Sequence, residues 1–271
     1  MPFFTSHGRP LYYERHGQGP ALVFLHGAGS NGATWWQQLP AFTPHFSCVT
    51  VDIRCFGRSV APPDELQVRL MVDDLVALLD HEGIDSAVLV GQSLGGMIAL
   101  RTALEHPRRV RALVPCDSSL AIDHPRQLAI LEHRITAAAA MSIEQRSLGA
   151  WFIQNRPALV ALYAQINHFN PSAHSIPPEA WREAMRGLNH PANLVPTEAL
   201  RRLACPVLLV VGREDPIVPL DIVQEVAALI PRAEVAVVEQ AAHSAYFEQA
   251  KVFNQRLMGF LQGLPDPPAS P

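Results

Sequence analysis

The stretch Ala87-Val88-Leu89-Val90-Gly91-Gln92-Ser93-Leu94-Gly95-Gly96, continued by Met97-Ile98-Ala99-Leu100-Arg101-Thr102-Ala103-Leu104, decides the fold. Its first four residues read as a strand buried on both faces, and the apolar run after Gly96 reads as a helix. Between them, Gly91-x-Ser93-x-Gly95 has the spacing of a nucleophile elbow. This is a sharp strand–turn–helix corner that forces a serine into a strained backbone conformation and lifts its hydroxyl above the sheet. Positions two before and two after the serine then crowd each other, so only very small residues fit at Gly91 and Gly95. The competing account is a tight turn in which Ser93 merely caps the helix.

Working outward, β and α character alternate. Phe3–Thr5 and Leu11–His16 flank a turn-like Ser6-His7-Gly8-Arg9 and predict a hairpin. Ala21–Leu25, Ser47–Ile53, Ala87–Val90, Arg111–Pro115, Val207–Val211 and Glu234–Val238 are near-continuous apolar runs, the pattern of a parallel sheet covered on both faces. Helices are predicted over Asp64–His81, Ser93–Glu105, Leu220–Ile230 and Phe247–Leu261. The alternation argues for an open, doubly wound α/β sheet.

One interval breaks the rhythm. From Ser118 to Leu203 there is no convincing strand. Helical patterns cover about Arg126–Ala140, Ile143–Asn155, Pro157–His168, Pro178–Asn189 and Thr197–Leu203. No Gly/Ser linker bounds the interval, so it reads as an inserted cap over the strand ends and less readily as a separate domain. The expected organisation is a sheet domain over residues 1–117 and 204–264, a helical cap over 118–203, and a disordered Pro-rich tail over 265–271.

A serine hydroxyl needs a general base, and the base needs an orienting acid. His243 follows the last predicted strand in Gln240-Ala241-Ala242-His243-Ser244. It is the one histidine in a strand-to-helix loop near the end of the chain, which makes it the candidate base. Asp215, in Gly212-Arg213-Glu214-Asp215-Pro216 after the strand Val207–Val211, is the candidate acid. Its neighbour Glu214 should face solvent, and Asp117, at the end of the strand Arg111–Pro115, is the rival. An oxyanion hole requires two converging backbone N–H groups. Leu94, at the start of a helix, and Ala28, in His26-Gly27-Ala28-Gly29, are the candidates, with Gly29 in reserve for Ala28. His26 reads as structural, its ring bonded to nearby backbone. Gly27, Gly29, Gln92 and Trp151 are the candidate substrate-contacting residues.

These positions resemble the α/β-hydrolase fold family in its members with a helical cap. The motifs that carry the resemblance are H-G-A-G (His26–Gly29), D-I-R-C-F-G-R-S (Asp52–Ser59), G-Q-S-L-G-G (Gly91–Gly96), G-R-E-D-P-I-V-P (Gly212–Pro219) and A-A-H-S-A-Y-F-E (Ala241–Glu248). They run in the family's order from about residue 10 to 262. The resemblance implies an eight-stranded, mostly parallel sheet, a Ser93–His243–Asp215 triad and no cofactor. The nearest members are small esterases, enol-lactonases, cofactor-free perhydrolases and carbon–carbon bond hydrolases. Cys55 departs from the pattern, standing where glycine is usual.

The implied reaction is acyl-enzyme hydrolysis of a small carboxylic ester or lactone. A serine at position 93 sets aside the dehalogenase and epoxide hydrolase variants, whose nucleophile is a carboxylate. A C–C bond hydrolase is disfavoured because Ser30-Asn31-Gly32 replaces the usual Pro-Gly. A slow-turnover ligand receptor of the same fold is the third reading.

Composition narrows the rest. With 48% apolar and 17% charged residues the chain is too apolar for disorder, and it has no apolar run long enough to span a membrane. The first residues lack the apolar stretch of a signal peptide. A net charge of −4 gives no basic face for nucleic acid. Cys48, Cys55, Cys116 and Cys205 lack metal-ligand spacing and read as reduced thiols of a cytoplasmic protein. A monomer or homodimer is expected. Trp35, Trp36, Trp151, Phe152, Tyr163, Phe169 and Trp181 are aromatics available to a largely apolar pocket, and Arg134, Arg156, Arg182 and Arg186 could meet one carboxylate.

Overall fold

The computed structural model describes residues 2–137, 141–171 and 177–265. The predicted hairpin forms: β1 (Phe3–Ser6) pairs antiparallel with β2 (Arg9–His16). The other strands are β3 (Ala21–Leu25), β4 (Ser47–Val51), β5 (Ala87–Gln92), β6 (Val110–Cys116), β7 (Val207–Gly212) and β8 (Ala233–Val238). They build one eight-stranded sheet in the order β1-β2-β4-β3-β5-β6-β7-β8, antiparallel at β1–β2 and β2–β4 and parallel from β4 to β8. Strand order reverses at β3, whose neighbours are β4 and β5. The carboxyl ends of β3 and β5 therefore open a crevice, the usual ligand site of such sheets.

Alternate residues of each central strand feed two cores. Val23, Leu25, Leu89, Leu113 and Leu209 point to the face covered by α2 (Val68–His81), α3 (Leu94–Glu105) and α9 (Leu220–Ala227). Leu22, Phe24, Val88, Val114 and Val210 point to the opposite face, where Trp35, Phe42 of α1 (Leu39–Phe42) and Phe253 and Leu257 of α11 (Ala250–Gln262) pack. Both faces are dry, which is why the strands lack apolar–polar alternation.

Between β6 and β7 lie α4 (Pro125–Ala137), α5 (Ile143–Ser147), α6 (Ala150–Asn155), α7 (Pro157–His168) and α8 (Pro178–Gly187). The two ends of this segment are tied by a parallel bridge between Ile122 and Val195. Leu148, Phe152 and Tyr163 join one core and Leu188 and Val195 the other. Among the described residues no helix is long and apolar enough to cross a membrane. Residues 266–271 of the expected disordered tail, and 138–140 of the helix expected to reach Ala140, lie outside the described residues.

Three predicted helices are broken, each for a local reason. The helix expected over Asp64–His81 becomes a 3-10 turn at Pro63–Glu65 and α2, because Gln67 is extended (φ −128°, ψ 126°). The helix expected over Ile143–Asn155 breaks at Leu148 and Gly149, both extended, where the Gly149 N–H leaves the helix to meet the Glu248 carboxylate at 2.7 Å. The helix expected over Phe247–Leu261 divides at Gln249 into α10 (Ala245–Glu248) and α11. The short α1, and a 3-10 turn at Gly32–Trp35, were not expected.

Candidate active site

Ser93 sits where β5 meets α3, with φ 47° and ψ −109°, a backbone region that side chains avoid. The corner is locked on several sides. Ser93 N–H donates to the Cys116 carbonyl (3.0 Å), and its own carbonyl accepts from Ser118 Oγ (2.7 Å). A Cβ on Gly91 would lie 2.3 Å from the Gly95 carbonyl, and one on Gly95 would lie 2.2 Å from the Leu25 carbonyl oxygen. Both glycines are thus required by backbone contact. No side-chain cap bond joins Ser93 to its helix, so the hydroxyl is free for another partner.

That partner is His243. Its Nε2 lies 3.1 Å from Ser93 Oγ, and its Nδ1 lies 2.9 Å from Asp215 Oδ2. Asp215 is itself fixed: its other oxygen accepts from the N–H groups of Ile217 (2.7 Å) and Val218 (3.1 Å). His243 and Asp215 are both buried. Burial opposes the charged imidazolium, but the Asp215 charge and hydrogen bond outweigh it and raise His243 above the ordinary 6.5. Glu214 is exposed, as expected.

Asp117 does not reach the imidazole. It is a buried clamp, with Oδ1 accepting from Gly212 N–H and Oδ2 from Ala245 N–H, both at 2.8 Å. It thereby joins the loops that carry Asp215 and His243. Burial, and then the nearby Asp215 charge, push its carboxyl up to about 7.

Ala28 and Leu94 line one cavity with Ser93 and His243. Among the described residues neither backbone N–H has an acceptor. Leu94 adds the first turn of α3, where the helix dipole favours negative charge. Gly29 does not line the cavity. The structure places His26 as a buried brace: its Nδ1 meets the Gly27 carbonyl at 2.7 Å, and its Nε2 accepts from Ile53 N–H at 2.9 Å. Burial lowers its pKa, so the ring is neutral and Nδ1 carries the proton.

The other expected contacts fall elsewhere. Gln92 is buried behind the site. Its Nε2 donates to the His243 carbonyl at 2.8 Å, and its Oε1 lies where a Cβ on Gly27 would be, so Gln92 and Gly27 pack on each other. Gly27, Gly29, Gln92 and Trp151 are absent from the cavity wall. Trp151 is partly buried against the hydrophobic core, and Arg156 lies over its ring. Trp35 packs against Tyr246 with the rings tilted and their centroids 4.4 Å apart, and Trp181 packs edge-on against Phe56. Trp36 and Phe169 are exposed. The wall is aliphatic instead, with Leu131, Ile143, Met185, Leu188, Ile217 and Val218. Of the four candidate arginines only Arg134 lines it; Arg182 and Arg186 pair with Glu179 and Glu183.

Two features were missed in the sequence. Arg146 lines the cavity beside Arg134. Glu248, buried at the end of α10, accepts from the N–H groups of Ala242 (2.8 Å) and Ser244 (3.3 Å), on either side of His243, and from Gly149 of the helical segment. Burial pushes it up to about 7. An acid five residues after His243 in an otherwise apolar run was its only signal. Cys55 holds the left-handed conformation that glycine would adopt there (φ 71°); it is buried, and burial pushes its thiol up to about 12. All four cysteines are free and buried.

A serine raised on a strained corner, with an imidazole between it and a buried carboxylate, has the geometry that serine-dependent hydrolysis on a doubly wound sheet requires. Comparison with known proteins agrees on the family: residues 20–250 match the alpha/beta hydrolase fold, and the chain belongs to that family. The pimeloyl-[acyl-carrier protein] methyl ester esterase of Vibrio vulnificus is 29% identical over 258 residues, covering 92% of this chain and 97% of its own. A structure of a thermophilic esterase from Thermogutta terrifontis superposes with a TM-score of 0.80 at 25% identity, covering 97% of both chains. That of Est816, an N-acyl homoserine lactone degrading enzyme, superposes with a TM-score of 0.79 at 29% identity, covering 96% of this chain and all of its own. The expected fold, and the expected hydrolase class, are borne out.

Proposed function

We propose that this enzyme hydrolyses small carboxylic esters or lactones through an acyl-enzyme on Ser93. The observation that carries the reading is His243, held between Ser93 Oγ at 3.1 Å and Asp215 at 2.9 Å. His243 Nε2 takes the hydroxyl proton as Oγ attacks the carbonyl carbon. The N–H groups of Ala28 and Leu94 receive the oxyanion, each worth on the order of 10²–10³ in rate. As the tetrahedral species collapses, the imidazolium returns the proton to the leaving oxygen. In the second half, His243 takes a proton from water, whose oxygen attacks the acyl carbon, and the acid departs with Ser93 reprotonated. Asp215 fixes the Nδ1–H tautomer and stabilises the imidazolium.

The relatives' names support the substrate class: one is an esterase of a methyl ester and another degrades a lactone. The helical segment between β6 and β7 acts as a cap that bounds the substrate. It supplies Leu131, Ile143, Met185 and Leu188 to the wall. The cavity holds about 240 Å³, just under the roughly 300–1,000 Å³ usual for ligand sites. This fits short acyl and alcohol groups. A panel of esters and lactones of graded acyl length tests the reading. Turnover concentrated on short substrates, with a pre-steady-state burst of alcohol, is expected. No hydrolysis of any member, or hydrolysis retained at the wild-type rate by Ser93→Ala, would overturn it.

A further inference from the structure

The aliphatic wall of the cavity is interrupted by two cations. Arg134 of α4 and Arg146 of α5 both line it, together with Ser93 and His243. Several arginines elsewhere are paired, among them Arg9 and Arg54 with Glu65, Arg109 with Asp80, and Arg213 with Glu239. Among the described residues neither Arg134 nor Arg146 has an ion-pair partner. Arg134 Nη2 donates to the Arg146 carbonyl at 2.9 Å, which holds the two residues together and leaves the rest of the fork unused. Arg146 Nε is shut off from solvent and has no acceptor at all. A shielded donor without an acceptor is costly. Two half-buried guanidiniums side by side also repel. Burial disfavours the Arg134 cation, and that penalty together with the Arg146 charge outweighs the favourable Asp215 charge. Such a pair is built for an anion that arrives with the ligand.

We propose that the cavity is a carboxylate-reading site: the substrate is a short ester or lactone bearing a second, ionised carboxylate, which Arg134 and Arg146 hold while Ser93 attacks the ester carbonyl. This rests on the esterase reading given above. The apolar residues that share the cavity with the arginines and Ser93 suit the short hydrocarbon spacer of a dicarboxylic acid hemi-ester. The planar guanidinium fork suits the two oxygens of its free end.

Binding to a Ser93→Ala protein tests this without requiring turnover. Monomethyl esters of straight-chain dicarboxylic acids with four to eight carbons are titrated calorimetrically, beside the dimethyl ester of each acid. At least one hemi-ester is expected to bind tenfold or more tightly than its neutral diester. That preference should fall by tenfold or more in Arg134→Gln and Arg146→Gln, and be partly restored in Arg134→Lys. Equal binding of hemi-ester and diester, no binding of any hemi-ester, or a preference undiminished in both Gln variants would overturn the proposal. Turnover of neutral esters by the intact enzyme reports separately on the esterase reading, so the two can fail independently. In the active enzyme the same variants should lower the kcat/KM ratio of hemi-ester over diester, with the change in KM.

Discussion

Two glycine-to-alanine substitutions should move stability in opposite directions. At Gly95 the new methyl would stand 2.2 Å from the Leu25 carbonyl oxygen and 2.8 Å from Leu25 Cβ. An ordinary contact is about 3.5 Å, so helix and strand must part by about 1.3 Å. The opposing atoms are backbone, and no rotamer change relieves them. Overpacking of this kind costs about 1–3 kcal/mol, at the upper end here. For a chain of this size that lowers Tm by roughly 4–10 °C. Leu25 leads directly into the His26–Gly29 loop, so the displacement also moves Ala28 relative to Ser93, and a misplacement of about 1 Å costs on the order of 10²-fold in kcat. At Gly259, in an exposed turn of α11, a methyl meets nothing within 4 Å. There Gly→Ala gains about 0.5–1 kcal/mol of helix propensity, a rise of roughly 1–3 °C. Calorimetric Tm and ester turnover of both variants are the assay. A Gly95→Ala protein that melts and turns over like wild type would refute the account of the corner.

Other consequences are as direct. Because the Asp215 carboxylate raises His243 above 6.5, and the base must be neutral, kcat/KM for a non-ionising ester should fall as pH drops through a value above 6.5; an inflection at or below 6.5 contradicts this. Asp215→Asn should cost about 10⁴ in kcat and move the inflection downward, whereas Asp117→Asn should chiefly lower Tm by orphaning an N–H of Gly212 or Ala245. Glu248, about 7 when folded against an ordinary 4.5, binds more protons folded than unfolded between those values, so its contribution to stability falls as pH rises through that window. The cost at pH 8 is of order 3 kcal/mol; urea melts of Glu248→Gln should therefore show a flatter pH dependence than wild type between pH 5 and 8, and identical slopes would count against it. A thiol reagent at pH 8 should find almost none of the four cysteines in the native protein and all four in guanidinium, since each is buried and the Cys48 and Cys55 thiols are pushed up to about 12.

The central sheet was legible because its strands are doubly buried and therefore almost purely apolar. Ala21–Leu25 is found at the expected bounds, and the elbow's glycines announced the corner that β5 and α3 make. Ser93, His243 and Asp215 could be singled out because each lies in the loop after a strand at the same sheet edge. The helical segment was less readable. Its helices have the right period, but a pattern of apolar residues does not say which side faces the cavity and which the core. Trp151 and Phe152 pack inward, while Leu131 and Ile143 face the site. Arg146 and Glu248 escaped for another reason. Their significance lies in partners far along the chain, or in the lack of any, and the lone acid in the apolar run after His243 is the one local sign of either. The broken helix at Gly149 is the same case, since the residue that breaks it is Glu248, 99 positions away.

The central claim is that Ser93 carries the acyl group. The most direct measurement is intact mass followed by peptide mapping after brief incubation with a fluorophosphonate, and after rapid acid quench with a short activated ester. One adduct per chain is expected, on the peptide containing Gly91–Gly96, with ester hydrolysis lost in step with labelling. Labelling at another residue, or full activity in protein fully labelled at Ser93, would contradict the account.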